Sequence, residues 1–259
     1  MENKVFLISI DGMRPDGVKK CGNPYVEELI KKCTYTFDAR TVFPSVTLPC
    51  HMSMFHSVNP ERHGITTNIY MPQVRPIDGI FEVVENAGGV CSMYYGWEPL
   101  RDVSRPGSLK ASEYINAYSF DHTDALLTES ALSYIKKASP DFVFLYMVET
   151  DEKGGHDCGW MSDGYLDVVS CAIDNVKRVV EEVGDEYAVI VTADHGGHER
   201  AHGTEMPEDM TIPMFFYGKE FEAGKELHGV SLLDLAPTVI DVLKLTAPRE
   251  WEGKSVVRR

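Results

Sequence analysis

Three short runs of the chain, residues 5–10, 142–148 and 187–192, are almost continuously apolar and rich in β-branched and aromatic side chains. A strand covered on one face alternates polar and apolar positions, whereas a strand covered on both faces does not. These runs therefore predict central strands of a mainly parallel sheet. Between them, residues 25–32, 123–138 and 165–183 interleave apolar and charged positions at helical spacing. Strand and helix alternate, which predicts an α/β architecture with helices on both faces of the sheet. Residues 231–245 read as a further helix, with Pro237 as a kink or an early-turn residue, and residues 249–259 as a closing tail. Residues 70–118 hold many aromatics, glycines and prolines around one predicted strand at 90–95, and a small cap is expected there.

With 259 residues, 43% hydrophobic and 25% charged, the chain has the composition of a globular domain with a sizeable core. Its formal net charge of -15 argues against a nucleic-acid duplex as partner. An anionic phosphate ester stays open, because bound divalent cations reverse the local sign. The first apolar run is too short for a signal peptide or a membrane span, so a cytoplasmic location and no membrane partner are expected. Cys21, Cys33, Cys50, Cys91, Cys158 and Cys171 form no Cys-x-x-Cys pair, which indicates neither a thiolate zinc site nor a disulfide framework. The glycine-rich phosphate loops of nucleotide-cofactor folds are missing from the sequence.

In open α/β sheets, ligands sit beyond the carboxyl ends of the strands. The first apolar run ends in Asp11, the second is followed by Asp151 and His156, and the third by Asp194 and His195, with His198 and His202 beyond. Carboxylate oxygens and neutral imidazoles suit zinc, manganese or iron, and this many at one sheet edge can hold two ions. Singly, Asp11 and Asp194 also fit as turn-capping residues. The adjacent pair Asp194 and His195, set directly at a buried strand end, fits ligation better. Residues 43–51, Phe-Pro-Ser-Val-Thr-Leu-Pro-Cys-His, predict a helix start with Pro49 in its first turn. Thr47 is the candidate nucleophile there, since the helix dipole and a metal on its oxygen both favour the alkoxide. An N-cap role for Thr47 or Ser45 is the structural alternative.

These separated motifs resemble the alkaline phosphatase superfamily, and within it the type I phosphodiesterase and nucleotide pyrophosphatase branch, over nearly the whole chain. Thr47-Leu48-Pro49-Cys50-His51 is similar to that branch's Thr-x-Pro-Asn-His nucleophile motif, and residues 59–65 resemble the Pro-x-x-His-Gly-Ile segment that follows it. The resemblance implies an alkaline-phosphatase-like sandwich over residues 1–259 as one catalytic domain, with the small cap within about 70–118. It implies two divalent metal ions, zinc foremost, with manganese or iron as alternatives. Asp151, His156 and His202 would hold one ion, and Asp11, Asp194 and His195 the other, with Thr47 bridging toward the second.

Two departures from the branch's pattern bear on the site. Its motif asparagine is Cys50 here, so Cys50 or Asn68 becomes the candidate contact to a phosphate oxygen. The step from Asp151 to His156 is one residue longer than the branch's, which makes Glu152 a rival to Asp151. His198 similarly competes with His202, while His51 and His63 are expected to pack.

The implied activity is hydrolysis of a small phosphate ester, a phosphodiester or nucleotide pyrophosphate foremost, through a phospho-threonine. A phosphomonoesterase or phosphonate hydrolase of the same superfamily is the nearer alternative, and a catalytically silent metal-binding domain the farther one. A sulfatase is disfavoured, because Cys50 does not open a Cys/Ser-x-Pro-x-Arg sequence. A mutase is disfavoured because that class uses a serine and a large inserted domain. The residues do not encode an oligomeric state.

Overall fold

In the computed structural model, which describes residues 1–105 and 107–257, the strands in chain order are β1 (Lys4–Ile10), β2 (Thr34–Arg40), β3 (Cys91–Tyr95), β4 (Ala111–Tyr114), β5 (Phe142–Met147), β6 (Tyr187–Thr192) and β7 (Thr211–Tyr217). Pro106, within the expected cap segment, and Arg258 and Arg259, at the end of the expected tail, lie outside the described residues. The strands form one sheet in the order β2-β7-β6-β1-β5-β3-β4. The three apolar runs occupy its middle, where β1 pairs in parallel with β5 on one side and β6 on the other. Every residue of β5 and β6 is buried, as continuous apolar character requires. β3 and β4 extend the parallel part, and β7 runs antiparallel to both β6 and β2.

The helices are α1 (Pro15–Lys20), α2 (Tyr25–Lys32), α3 (Thr47–His56), α4 (Pro60–His63), α5 (Ile80–Asn86), α6 (Thr123–Ala138), α7 (Asp163–Val183), α8 (Pro207–Met210) and α9 (Leu235–Val242). They gather into two packs, α1 with α2, α6 and α7, and α3 with α5 and α9. The longest, α7, starts where the Ser162 hydroxyl accepts the Tyr165 amide, and it buries Val169, Ile173, Val176 and Val180 along one stripe. Pro237 falls in the first turn of α9, where its missing N–H costs nothing. The tail closes over α3, with the Glu252 amide donating to the Ser57 carbonyl at 2.7 Å. Among the described residues, no helix is long and apolar enough to cross a membrane.

The segment at 70–118 differs from expectation. Most of its ordered structure joins the main body, because β3 is buried at every position and pairs with β5, and α5 packs on β3. Only the loops flanking β3 and β4 overhang the sheet edge, bringing Trp97 and Tyr118 to the cleft described below. Asp11, Asp151 and Asp194 follow β1, β5 and β6, so all three leave the sheet at one edge, the carboxyl edge of its parallel strands.

Candidate metal centre

The centre is built from acids buried where water cannot serve them. Asp11 is 2% exposed, Asp151 6%, and Asp194 and His195 0%. In Asp194, Oδ1 accepts the amides of His195 at 2.9 Å and Gly12 at 3.3 Å, while Oδ2 has no hydrogen-bond partner. In Asp11, Oδ2 accepts the Tyr146 hydroxyl and Oδ1 is left bare, as is Oδ1 of Asp151. A buried carboxylate oxygen without a donor is costly unless a cation meets it. The bare oxygens converge on imidazole nitrogens. His195 Nε2 lies 3.2 Å from Asp11 Oδ1 and 3.5 Å from Asp194 Oδ2, and His202 Nε2 lies 3.9 Å from Asp151 Oδ1. One ligand atom from each of Asp11, Asp194 and His195 falls within a 4.8 Å span, and the same holds for Asp151, His195 and His202.

The histidines are oriented for ligation. Nδ1 of His156 donates to the Arg200 carbonyl at 2.9 Å, Nδ1 of His195 to the Gly196 carbonyl at 2.7 Å, and Nδ1 of His202 to the Ser45 carbonyl at 3.0 Å. A backbone carbonyl accepts only, so each ring keeps its proton on Nδ1 when neutral and turns an Nε2 lone pair toward the acids.

The electrostatics point the same way. Burial, and then the negative charge of Asp151, pushes Asp194 up to about 8. Asp11 also stands well above the usual carboxylate range, through burial and the charges of Asp194 and Asp151. Burial raises Asp151 too, but the hydrogen bond from His156 and the fields of His195 and His202 outweigh it and hold its carboxyl low. In return, the hydrogen bond to Asp151 lifts His156 to about 9. Burial, then His195, lowers His202 to about 4. Asp11 and Asp194, which resist ionisation, together with an ionised Asp151 and the neutral His202 imidazole, form a donor set that fits divalent cations of the zinc, manganese and iron type.

Asp151 and His156 meet through the local winding of the chain. Thr150–Cys158 forms a π-helical turn. Its wider winding carries the longer step from Asp151 to His156 back onto one side, with Asp151 Oδ2 3.3 Å from His156 Nε2. Asp151 therefore enters the centre, and Glu152 lines the mouth of the cleft. His198 is turned away, with its Nδ1 2.7 Å from Asp209 Oδ1. The first expected ligand set is modified in one respect, since His195 stands close enough to join Asp151 and His202.

Thr47 is the first residue of α3, and Val46 takes the N-cap position without a side-chain bond. The Thr47 hydroxyl is thus not spent on capping and lies 3.3 Å from His195 Nε2. Asn68 reaches the same cleft, where its Oδ1 accepts the Leu48 amide at 3.0 Å. The expectation for Cys50 is corrected. Its side chain is fully buried, its sulfur faces the Thr41 hydroxyl and the Pro44 carbonyl, and it does not line the cleft. His51 packs, its Nδ1 donating to the Thr47 carbonyl at 2.8 Å and its ring edge-on to Tyr146. His63 is paired with the Ser53 hydroxyl at 3.0 Å.

Supporting residues escaped the sequence reading. Tyr146 orients Asp11, and Asp124 accepts the amides of Val148 at 2.9 Å and Glu149 at 3.2 Å, fixing the chain just before Asp151. Trp160 Nε1 and the Tyr165 hydroxyl both donate to the Gly12 carbonyl at 2.9 Å. The one available signal was Tyr146 itself, since a tyrosine inside a fully apolar run needs a partner for its hydroxyl.

A mainly parallel sheet with two carboxylate and imidazole clusters at its carboxyl edge, beside a threonine at a helix start, defines an alkaline-phosphatase-like protein. Residues 5–206 match the family model of type I phosphodiesterase / nucleotide pyrophosphatase, and the chain belongs to that family of phosphoric ester hydrolases. It is 23% identical over 274 residues to human bis(5'-adenosyl)-triphosphatase ENPP4, covering 93% of this chain and 55% of that protein. It is 29% identical over 144 residues to a 2,3-bisphosphoglycerate-independent phosphoglycerate mutase of Clostridioides difficile (strain 630), covering 51% of this chain and 27% of the mutase. The chain thus spans between 27% and 55% of the length of these curated relatives. Among solved structures, murine ectonucleotide pyrophosphatase / phosphodiesterase 5, as an inactive threonine-to-alanine variant in complex with AMP, shares the fold. The TM-score is 0.81 at 16% identity, over 97% of this chain and 98% of that one.

Proposed function

We propose that the protein is a two-metal-dependent phosphodiesterase of small phosphate esters that works through a phospho-threonine at Thr47. The observation that carries this reading is the set of bare, buried oxygens on Asp11, Asp151 and Asp194, facing imidazole nitrogens beside the Thr47 hydroxyl. Asp11, Asp194 and His195 would hold one divalent ion, zinc foremost, and Asp151, His156 and His202 a second, which together supply positive charge for the nucleophile and the phosphate. Thr47 holds its oxygen at the amino end of α3, where the helix dipole favours developing negative charge. Its attack on phosphorus forms one P–O bond as the bond to the departing alcohol breaks in line. Water then cleaves the phospho-threonine and restores the hydroxyl. Asn68 Oδ1 is held by the Leu48 amide, so its NH2 group is the donor left for a phosphate oxygen. The murine relative, inactive with alanine for a threonine and binding AMP, supports both the nucleophile and the substrate size.

The test is hydrolysis of bis-p-nitrophenyl phosphate and p-nitrophenyl phosphate by wild type and Thr47→Ala, with zinc or manganese and with chelator. Wild type cleaves the diester faster, chelator abolishes the activity, and Thr47→Ala lowers kcat by about 1,000-fold or more. Undiminished turnover by Thr47→Ala would remove the nucleophile, and faster cleavage of the monoester would convert the reading to a phosphomonoesterase.

A further inference from the structure

In one half of the metal centre, each carboxylate has only one oxygen free. Asp194 engages Oδ1 with the backbone amides of Gly12 and His195 and keeps Oδ2 bare. Asp11 engages Oδ2 with the Tyr146 hydroxyl and keeps Oδ1 bare. His195 turns Nε2 to both bare oxygens, and the Thr47 hydroxyl stands 3.3 Å from the same nitrogen. Asp11, Asp194, His195 and Thr47 therefore offer one ligand atom each.

The groups that engage the second oxygens are backbone amides at Asp194 and a side chain at Asp11. The sheet places that side chain. Tyr146 in β5 stands opposite Ser9 in β1, and the Asp11 amide continues the pairing by donating to the Met147 carbonyl at 2.9 Å. Alternation along a strand puts Ser9 and Asp11 on the same face, so the phenol reaches Asp11 from the adjoining strand. Tyr146 is fully buried, and its ring meets His51 edge-on at 5.2 Å. His51 is itself pinned, Nδ1 by the Thr47 carbonyl at 2.8 Å and Nε2 by the Ser9 hydroxyl at 3.1 Å. Packing as well as the hydrogen bond thus fixes the phenol on Asp11.

Zinc is satisfied by about four ligand atoms in a tetrahedral set, whereas manganese favours an octahedral set of about six, rich in oxygen. The number of free carboxylate oxygens therefore bears on which ion is preferred. Building on the two-metal reading, we propose that Tyr146 sets the metal preference of this centre. By holding Oδ2 of Asp11 it limits that carboxylate to one oxygen, which favours zinc over manganese. Tyr146 is a positioning residue, acting on the ion through Asp11. Phenylalanine in its place keeps the ring packing and frees Oδ2, giving an oxygen-preferring ion a further ligand atom.

The experiment compares wild type, Tyr146→Phe and Tyr165→Phe. The last is a control for the loss of a buried phenol, because the Tyr165 hydroxyl donates to the Gly12 carbonyl at 2.9 Å, beside the same aspartate but on no carboxylate. Zinc and manganese affinities are measured by competition with a chelating dye. In Tyr146→Phe the ratio of zinc to manganese affinity falls by about 10-fold or more, and in Tyr165→Phe it stays within about twofold of wild type. Cobalt loading gives a second readout, since visible d–d bands are strong in four-coordinate cobalt and weak in six-coordinate cobalt. The bands are strong in wild type and Tyr165→Phe and weaken in Tyr146→Phe. An unchanged ratio in Tyr146→Phe overturns the proposal and leaves the two-metal reading intact. Equal shifts in the two variants also overturn it, because general loosening then accounts for both. Weak bands in cobalt-loaded wild type overturn it without recourse to any variant. If wild type binds neither zinc nor manganese, the two-metal reading fails and the metal preference with it.

Discussion

The imidazole rings of His195 and His202 lie face to face, with centroids 3.9 Å apart and planes 13° from parallel. Burial, then His195, lowers His202 to about 4, so its ring is neutral in this stack near neutral pH, the state in which imidazole binds a metal. Replacing His202 with alanine removes a candidate ligand from beside Asp151 and unstacks His195. The expected result is metal affinity lowered by at least about 10-fold, read by chelator competition, with an unchanged far-ultraviolet circular dichroism spectrum. Unchanged affinity would remove His202 from the centre.

The acids should make the metal-free protein sensitive to alkali. Asp194, raised to about 8 from an ordinary 3.8, keeps its proton when folded and loses it on unfolding near neutrality. Its stabilising contribution is complete below its unfolded pKa and is lost as pH rises through its folded value. His156, raised to about 9, acts in the same direction. His51 and His202, lowered by burial to about 3 and about 4, act oppositely, but only below their unfolded value of 6.5. The Tm measured in chelator should therefore fall between about pH 6.5 and 9. Metal at 100 times its Kd adds about 2.7 kcal/mol and raises Tm by several degrees. A flat profile in chelator would contradict the assignment of raised pKa values to these buried groups.

Gly12 connects Asp11 to the rest of the centre under two constraints. Its φ is +64°, and a Cβ placed on it would stand 2.9 Å from Asp151 Oδ1. Gly12→Ala should cost about 1–2 kcal/mol in the backbone alone. It should also displace Asp151, so that metal affinity falls together with Tm. A loss of Tm at full affinity would show that Asp151 gives way without leaving the centre.

Asp124 serves backbone amides, and its removal strands them. Asp124→Ala leaves the Val148 and Glu149 amides without their acceptor, at about 1–3 kcal/mol for each group. Urea unfolding should register the loss, and Asp124→Asn, which keeps one oxygen, should fall between alanine and wild type.

Cys50 and Asn68 make a contrasting pair. Cys50→Ala empties a small buried volume and should cost about 1 kcal/mol while leaving diester hydrolysis within about twofold of wild type. Asn68→Ala should lower kcat/KM by about 100-fold through loss of a phosphate donor. The reverse ranking in steady-state assays would restore the sulfur to the site.

The parts of this fold legible in the sequence are those whose burial leaves a periodic trace. β1, β5 and β6 are covered on both faces, and α2, α6 and α7 carry long amphipathic patterns. β7 escaped notice because Pro213 reads as a strand breaker, although an antiparallel strand tolerates it where its N–H is not needed. β4 is short and largely exposed, and β2 changes register between Thr36 and Ala39. The acids and histidines of the centre were legible because strand ends announce them. The choice between Cys50 and Asn68 was not, since it depends on the rotation of α3 and the return of a loop. Tyr146 lies 135 residues from Asp11, a distance across which no local pattern reports.

The π-helical stretch from Thr150 to Cys158 shows how an inserted residue can be absorbed without moving the atoms that matter. Spacing along a chain measures separation in space only for a given winding, and a wider coil hides one additional position inside a single turn. A pattern search written with a rigid gap would pass over Asp151 and His156 in this protein, even though their side chains meet. The meeting of Asp151 and His156 therefore depends on how this segment is wound and not on the number of residues between them.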